Sequence, residues 1–298
     1  MRKRSYYKKM DDDKIICFVI LHYNAIKETR NCVSSILALE QADNSRIVIV
    51  DNASPNLTGK ILAEDYSQNE NVDVILRENN DGFSIGNNIG CAYAIKKWNP
   101  FFLVVANNDI EFCQRDFISK VWSEYEKNPF AVLGPDIYAP ARGVHQSPMS
   151  ESPPRRNRVM VTIVLNQIML WLYPLVYPVM KKYFRNMDAN IQSENYSVYR
   201  ENVCLMGACM VYSKEYMSAR NKIFEPETKF YYEEYIQTLW CMRNNKKIVY
   251  KPDVVVYHME GKATKSIDER EKERIRFHMR NILQSAKVYM EYVKQEYE

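Results

Sequence analysis

The chain has 298 residues, a formal charge of +4 and ordinary apolar and charged fractions, which suits one large domain or two small ones with a substantial core. So modest a charge does not mark a nucleic-acid binder, although it favours anionic substrates or an anionic membrane surface. The seven cysteines are odd in number and include no CxxC pair, which argues against a zinc site and a disulfide framework and predicts reduced, mostly buried thiols.

Residues 1–13 are basic and then acidic, with no apolar core of a signal peptide, so an N-terminal tail and a cytoplasmic location are expected. Residues 15–21 (IICFVIL) read as a strand buried on both faces, followed by His22, Tyr23 and Asn24. A helix is predicted over 26–39, a second strand over 46–50, a helix over 58–66 and a third strand over 72–76. The loop 79–90 leads into a helix ending near Trp98, and a fourth strand covers 101–106. This alternation is the signature of βαβ units and a mainly parallel sheet. Ligands bind such sheets at the carboxyl ends of the strands. The polar loops His22–Asn24, Asp51–Asn56, Asn79–Asn88 and Asn107–Asp109 belong at those ends.

Further along, a helix is expected over 116–127 and a short strand and turn over 132–135. Residues 138–154, rich in Pro, Ser and Arg, read as a mobile loop. Residues 159–177 are the most apolar stretch, preceded by Arg155, Arg156 and Arg158 and followed by Lys181, Lys182 and Arg185. Asn166, Gln167 and Pro174 interrupt it, which fits a helix lying on a membrane surface through 155–185 better than one crossing it. The plainer reading is a helical insertion over about 140–200 that packs on the domain or in a homodimer. A strand is predicted over 203–212, a helix from the acidic pair Glu233-Glu234 to about 245, strands at 247–250 and 254–258, and a charged helix over 268–298.

Several residues can carry chemistry. Asp51 at a strand end can accept from a nucleobase or ribose, or close an Asx-turn. Gly82, Gly86 and Gly90 recur every four residues, for a turn and close approach to a ligand, or for a helix face that must be small. Neither GxGxxG nor GxxxxGK[ST] is present, which disfavours a classical dinucleotide fold or a P-loop. Asp109 can hold a divalent cation against a diphosphate, and His258 can add a nitrogen ligand or serve structurally. Glu233 and Glu234 suit a helix N-terminus, and one of them suits a general base in an aromatic setting. An adjacent pair points two ways, so one carboxylate can face a substrate while the other anchors the loop.

Taken together, VILHYN (19–24), IVIVDNASPN (47–56), ENNDGFSIGNNIG (78–90), VVANNDI (104–110), LMGACMVY (205–212), FYYEEY (230–235) and YKPDVVVYHMEGKATKS (250–266) resemble family 2 glycosyltransferases of the rhamnosyltransferase-like bacterial branch. The resemblance covers roughly 14–266 and implies the α/β GT-A fold of nucleotide-diphospho-sugar transferases: a mainly parallel central sheet flanked by helices, with a helical insertion and a C-terminal helix (267–298). It implies inverting transfer of a sugar from a nucleotide-diphosphate donor to a glycan or lipid-linked acceptor, in surface polysaccharide synthesis. The enzyme would sit in the cytoplasm or peripherally on the inner face of the cell membrane. It further implies donor contacts from Tyr23, Asn24, Asp51, Asn80, Gly82, Asn87 and Asn108. Glu234 would be the catalytic base with Glu233 beside it, and Asp109 and His258 would hold Mg²⁺ or Mn²⁺. The metal motif reads Asn107-Asn108-Asp109 and keeps only its last carboxylate, and Ile236 stands where many relatives carry a third acid. These departures motivate the alternative of a degenerate nucleotide-sugar-binding or scaffold protein.

Overall fold

A computed structural model describes residues 15–189, 193–260 and 268–295. The tail expected over 1–13 and the 261–266 end of the last matching motif lie outside them.

In chain order the elements are β1 (Ile16–His22), α1 (Ile26–Leu37), β2 (Ser45–Asp51), α2 (Thr58–Asp65), β3 (Val72–Leu76), α3 (Phe83–Trp98), β4 (Phe102–Asn107), β5 (Ile110–Glu111), α4 (Phe117–Lys127), β6 (Val132–Ala139) and β7 (Val144–His145). There follow α5 (Arg156–Trp171), α6 (Tyr173–Ala189), β8 (Arg200–Glu201), β9 (Cys209–Ser213), α7 (Lys214–Ser218), α8 (Glu233–Arg243), β10 (Ile248–His258) and α9 (Asp268–Lys294). The sheet runs β3-β2-β1-β4-β9-β6-β10-β5, with β7 added to β6 and β8 to β10. Strands β3, β2, β1 and β4 are mutually parallel, as the alternation predicts. Strand β9 reverses the direction against both β4 and β6, and β10 is parallel to β6.

The apolar run of β1 is continuous because both faces of the sheet are covered. Ile16, Phe18 and Ile20 enter a core with Cys32, Val33 and Ile36 of α1 and Phe117 and Val121 of α4. Cys17 and Val19 enter the opposite core with Cys91 and Ala94 of α3 and Cys241 of α8. Small residues let α3 lie close on the sheet: a side chain at Gly86 would strike Leu21, and one at Gly90 would strike Val19 and Val50. The small-face reading therefore accounts for these two glycines. All seven cysteines are free thiols, six of them buried and Cys113 exposed.

Four expectations need correcting. Residues 138–154 are ordered by pairing: β6 extends to Ala139, β7 pairs back on it, and Ser150 bridges to Cys204. The strand expected over 203–212 begins only at Cys209, because Val203–Ala208 cross the sheet end as irregular backbone. The two short strands near the C-terminus are one strand, β10, whose register shifts between Lys251 and Val255. The apolar stretch is likewise two helices rather than one, bent by 118°. Pro174 lacks the N–H that would continue α5 and suits the first turn of α6 instead. Among the described residues no single helix is long and apolar enough to cross a membrane, although the bent pair together has the length and apolar composition of a span.

Candidate active site

Topology gathers the expected residues at one edge. Parallel pairing sets His22 beside Asp51 and Leu21 beside Asn107, so the loops after β1, β2 and β4 emerge side by side. Because β9 is antiparallel to β4, its start lies at the same edge, where the Ala208 carbonyl accepts from the Asn107 N–H at 2.8 Å. The end of β10 arrives there as well, with His258 paired to Ile110.

At the β2 end, Asp51 is buried and accepts from Ser54 Oγ at 2.5 Å and from the Ser54 N–H. These bonds reach three residues on rather than the two of an Asx-turn, so the Asp51 carboxylate braces the loop after β2 through Ser54. Tyr23 is 45% exposed beside it, and the Asn24 N–H donates to the same Ser54 hydroxyl at 2.9 Å. His22 beneath them is buried between the hydroxyls of Thr29 (2.7 Å) and Thr58 (2.9 Å), and burial lowers its pKa. Asn108 donates to Thr29 Oγ1 at 3.0 Å, so its amide braces the start of α1.

At the start of α3, the Asn80 side-chain oxygen accepts from both the Gly82 N–H (3.1 Å) and Asn52 Nδ2 (3.0 Å). Gly82 has φ +87°, and the Lys229 carbonyl lies where a Cβ would stand, so only glycine suits this turn. Asn87 is wholly buried and donates to the Phe83 carbonyl at 3.0 Å, a buttress of the helix start rather than a surface group.

Asp109 and His258 meet directly, with Oδ1 and Nε2 3.2 Å apart. Gln146, absent from the sequence reading, lies behind them. Its Oε1 accepts from His258 Nδ1 at 2.7 Å, and its amide donates to Glu260 at 2.7 Å, itself ion-paired with Arg142. With Nδ1 held by Gln146, His258 turns its Nε2 toward Asp109. An imidazole nitrogen and a carboxylate oxygen 3.2 Å apart, one of them braced from behind, are the donor types a divalent cation takes. Among the described residues no group of three or more His, Cys, Asp or Glu side chains could hold a metal. A diphosphate would supply the remaining oxygens for a two-ligand seat.

The acidic pair divides in two directions. Glu233 is buried and accepts from Thr228 Oγ1 at 2.9 Å, and that hydroxyl lies 3.2 Å from Ser84 at the start of α3. Glu234 is half-buried under Gly207 at the head of β9, whose backbone N–H acts on its carboxyl. Burial raises the pKa of both, and for Glu234 the neighbouring Glu233 adds to it, pushing it up to about 8. The two residues before them, Tyr231 and Tyr232, have φ of 70° and 72°, a costly pair of left-handed aromatic residues. Helix α9 holds that turn: Ser285 Oγ donates to the Phe230 carbonyl at 2.6 Å, Tyr231 Oη and His278 Nδ1 are 2.6 Å apart, and Tyr289 packs on Tyr232. Periodicity alone announces α9 but not this role.

The Glycosyl transferase family 2 model matches residues 17–218, more than half of the chain. The low-salt glycan biosynthesis hexosyltransferase Agl10 of Haloferax volcanii is 26% identical over 144 residues, 48% of this chain and only 41% of that relative's own length. A crystal structure of S. aureus TarS 1-349 superposes with a TM-score of 0.53 at 15% identity, covering 90% of this chain and 71% of the other. Its complex with UDP-GlcNAc gives 0.52 at 16% identity, covering 90% and 72%. At such identities the structural likeness speaks for the fold.

Proposed function

The chain belongs to glycosyl transferase family 2 and is a glycosyltransferase, and on that premise we propose that it transfers a hexosyl unit, with inversion, from a nucleoside-diphosphate donor to an acceptor hydroxyl in glycan assembly. The observation that carries this reading is Glu234: a half-buried carboxyl with a pKa pushed up to about 8, at the sheet edge shared by Asp51, Asp109 and His258. A base of that strength suits an alcohol that becomes acidic only as it attacks. Glu234 takes the acceptor proton while the acceptor oxygen bonds to the anomeric carbon from the face opposite the diphosphate. The bond from that carbon to the diphosphate oxygen breaks, and its electrons leave with the nucleoside diphosphate.

Asp51 and Tyr23 suit the nucleoside, and the Asn80–Gly82 turn suits the donor's passage past α3. Asp109 and His258 would hold a divalent cation, which when bound supplies charge stabilisation to the departing diphosphate. A glycan or lipid-linked hydroxyl is the acceptor class, in keeping with the glycan-biosynthesis name of the Haloferax relative, while the UDP-GlcNAc bound by TarS suits the donor class. The rhamnosyltransferase-like motifs add a 6-deoxyhexose to the donors worth trying.

The test is a panel of nucleotide sugars with and without Mn²⁺, read as nucleoside-diphosphate release and product mass. One donor should turn over, and Glu234→Gln should stop transfer while still binding nucleotide. Undiminished turnover by that variant would remove the base assignment. Nucleotide-sugar binding with no turnover of any donor would favour the scaffold alternative.

A further inference from the structure

Helix α5 is apolar on two opposite faces. Its inner face packs Val159 and Ile163 against Tyr232, Ile236, Ala286 and Tyr289. Its outer face leaves Val161, Val164, Leu165 and Ile168 about half exposed. At the elbow with α6, Trp171 is 81% exposed, and Leu175 beyond it is 77% exposed. A helix apolar all round belongs in an interior or against lipid, and a contiguous exposed apolar patch marks a contact surface.

The surrounding charges say what the contact is. Arg155, Arg156 and Arg158 are exposed at the head of α5 and Lys182 is exposed on α6, while the sequence has no Asp or Glu from 152 to 187. From α9, which packs against both helices, Lys272 and Arg276 reach over the rings of Tyr177 and Tyr173, and Glu271 is paired with Lys181 at 3.1 Å. The patch thus has cations at both ends. A two-fold contact between copies would set cations against cations in either orientation, which opposes association. Anionic headgroups complement the same pattern, and a tryptophan at an apolar–polar boundary suits the membrane interface.

We infer that the α5–α6 elbow docks on an anionic bilayer surface, with Trp171 and Leu175 at the boundary of headgroups and acyl chains, and does not cross it. The inner face of α5 touches Tyr232 and Ile236, which flank the acidic pair. Docking therefore holds Glu234 roughly one helix diameter, ~10 Å, above the lipid. A lipid-linked acceptor would present its sugar-bearing end at that height; this last step rests on the transferase reading, whereas the docking does not.

The experiment is flotation of the full chain with vesicles of phosphatidylcholine alone and with phosphatidylglycerol added. Binding is expected only to the anionic vesicles, falling with salt. It should weaken about fivefold for each of Arg155, Arg156 and Arg158 changed to Gln, and vanish in the double variant Trp171→Glu, Leu175→Glu. Both positions of that pair are exposed, and an unchanged thermal melt would verify its fold. Equal binding to neutral vesicles, or full binding by the double variant, would overturn the inference. So would retention on the membrane after an alkaline carbonate wash, which would indicate a span. A dimer that the double variant dissociates, without vesicle binding, would assign the face to a second copy and overturn it too. Donor turnover on a water-soluble acceptor should survive the double variant. In the unaltered chain, turnover without docking defeats this inference alone, and docking without turnover defeats the transferase reading alone.

Discussion

A side chain at Gly207 would overlap the carboxyl of Glu234 at Oε1. The head of β9 thus shapes the seat of the base, and α8 and β9 are fixed together there. Gly207→Ala should shift that carboxyl by a fraction of an ångström or more. Misplacements of about 1 Å cost on the order of 100-fold in rate. Steady-state kinetics should show a fall of that order in kcat, with nucleotide binding by calorimetry nearly unchanged.

The raised pKa of Glu234 gives a pH profile. The base is active when ionised, so kcat/KM should rise with pH and level off above about 8. The stability effect has the opposite sign. A carboxyl whose folded pKa lies above its unfolded value near 4.3 binds more protons folded than unfolded between the two. Its contribution to stability is greatest at low pH and is lost as pH rises toward about 8. Glu234→Gln should flatten that part of the melting-temperature profile and lower transfer by about 100- to 10,000-fold. Thermal melts across pH 5–9 and rates over the same range check both.

Gln146 positions His258, and its removal should show in metal affinity. Gln146→Leu frees the imidazole to turn and to change tautomer. Loss of such a supporting contact typically costs about 10- to 100-fold in metal affinity. Mn²⁺ titration by electron paramagnetic resonance, in the presence of nucleoside diphosphate, measures it without turnover. Gln146→Glu, which still accepts from Nδ1, should restore most of the affinity. Equal Mn²⁺ binding by the Leu variant would remove the role.

Thr228 is the anchor of Glu233. Thr228→Val keeps the shape and removes the donor, leaving a buried carboxyl short of a partner. A destabilisation of about 1–3 kcal/mol is expected in urea unfolding. Activity should fall as well, since Thr228 also touches Ser84 and ties the donor turn to the acidic pair.

Helix α9 should prove necessary for the acidic turn. Ser285→Ala removes the hydroxyl that holds the Phe230 carbonyl, next to two residues at positive φ. A loss of about 0.5–1.5 kcal/mol is expected from one hydrogen bond. The larger effect should be on kcat, because the strained turn carries Glu234. Comparing kcat with nucleotide affinity separates the two.

The parallel half of the sheet was legible in the sequence because its strands are covered on both faces and so read as unbroken apolar runs. The loops at their carboxyl ends were legible for the same reason, since parallel pairing aligns those ends. The start of strand β9 is hidden in the sequence because Val203–Ala208 are as apolar as a strand, whereas in the fold only Cys204 among them pairs, in an isolated bridge to Ser150. The loop at 138–154 read as mobile from its Pro and Ser, whereas its order comes from partners in β6 and at Cys204.

The family, the sheet-edge loops and the acidic pair in its aromatic setting can be read from the residues alone, because those are properties of local composition and order. Which carboxylate turns inward is settled by packing. Thr228, close in sequence, bonds Glu233, and Gly207, distant in sequence, makes room for Glu234. Packing likewise sets Gln146 behind His258 and α9 behind the left-handed turn. Such pairings depend on strand order and helix packing, and a hydrogen bond between residues over a hundred positions apart leaves no periodic trace in the chain.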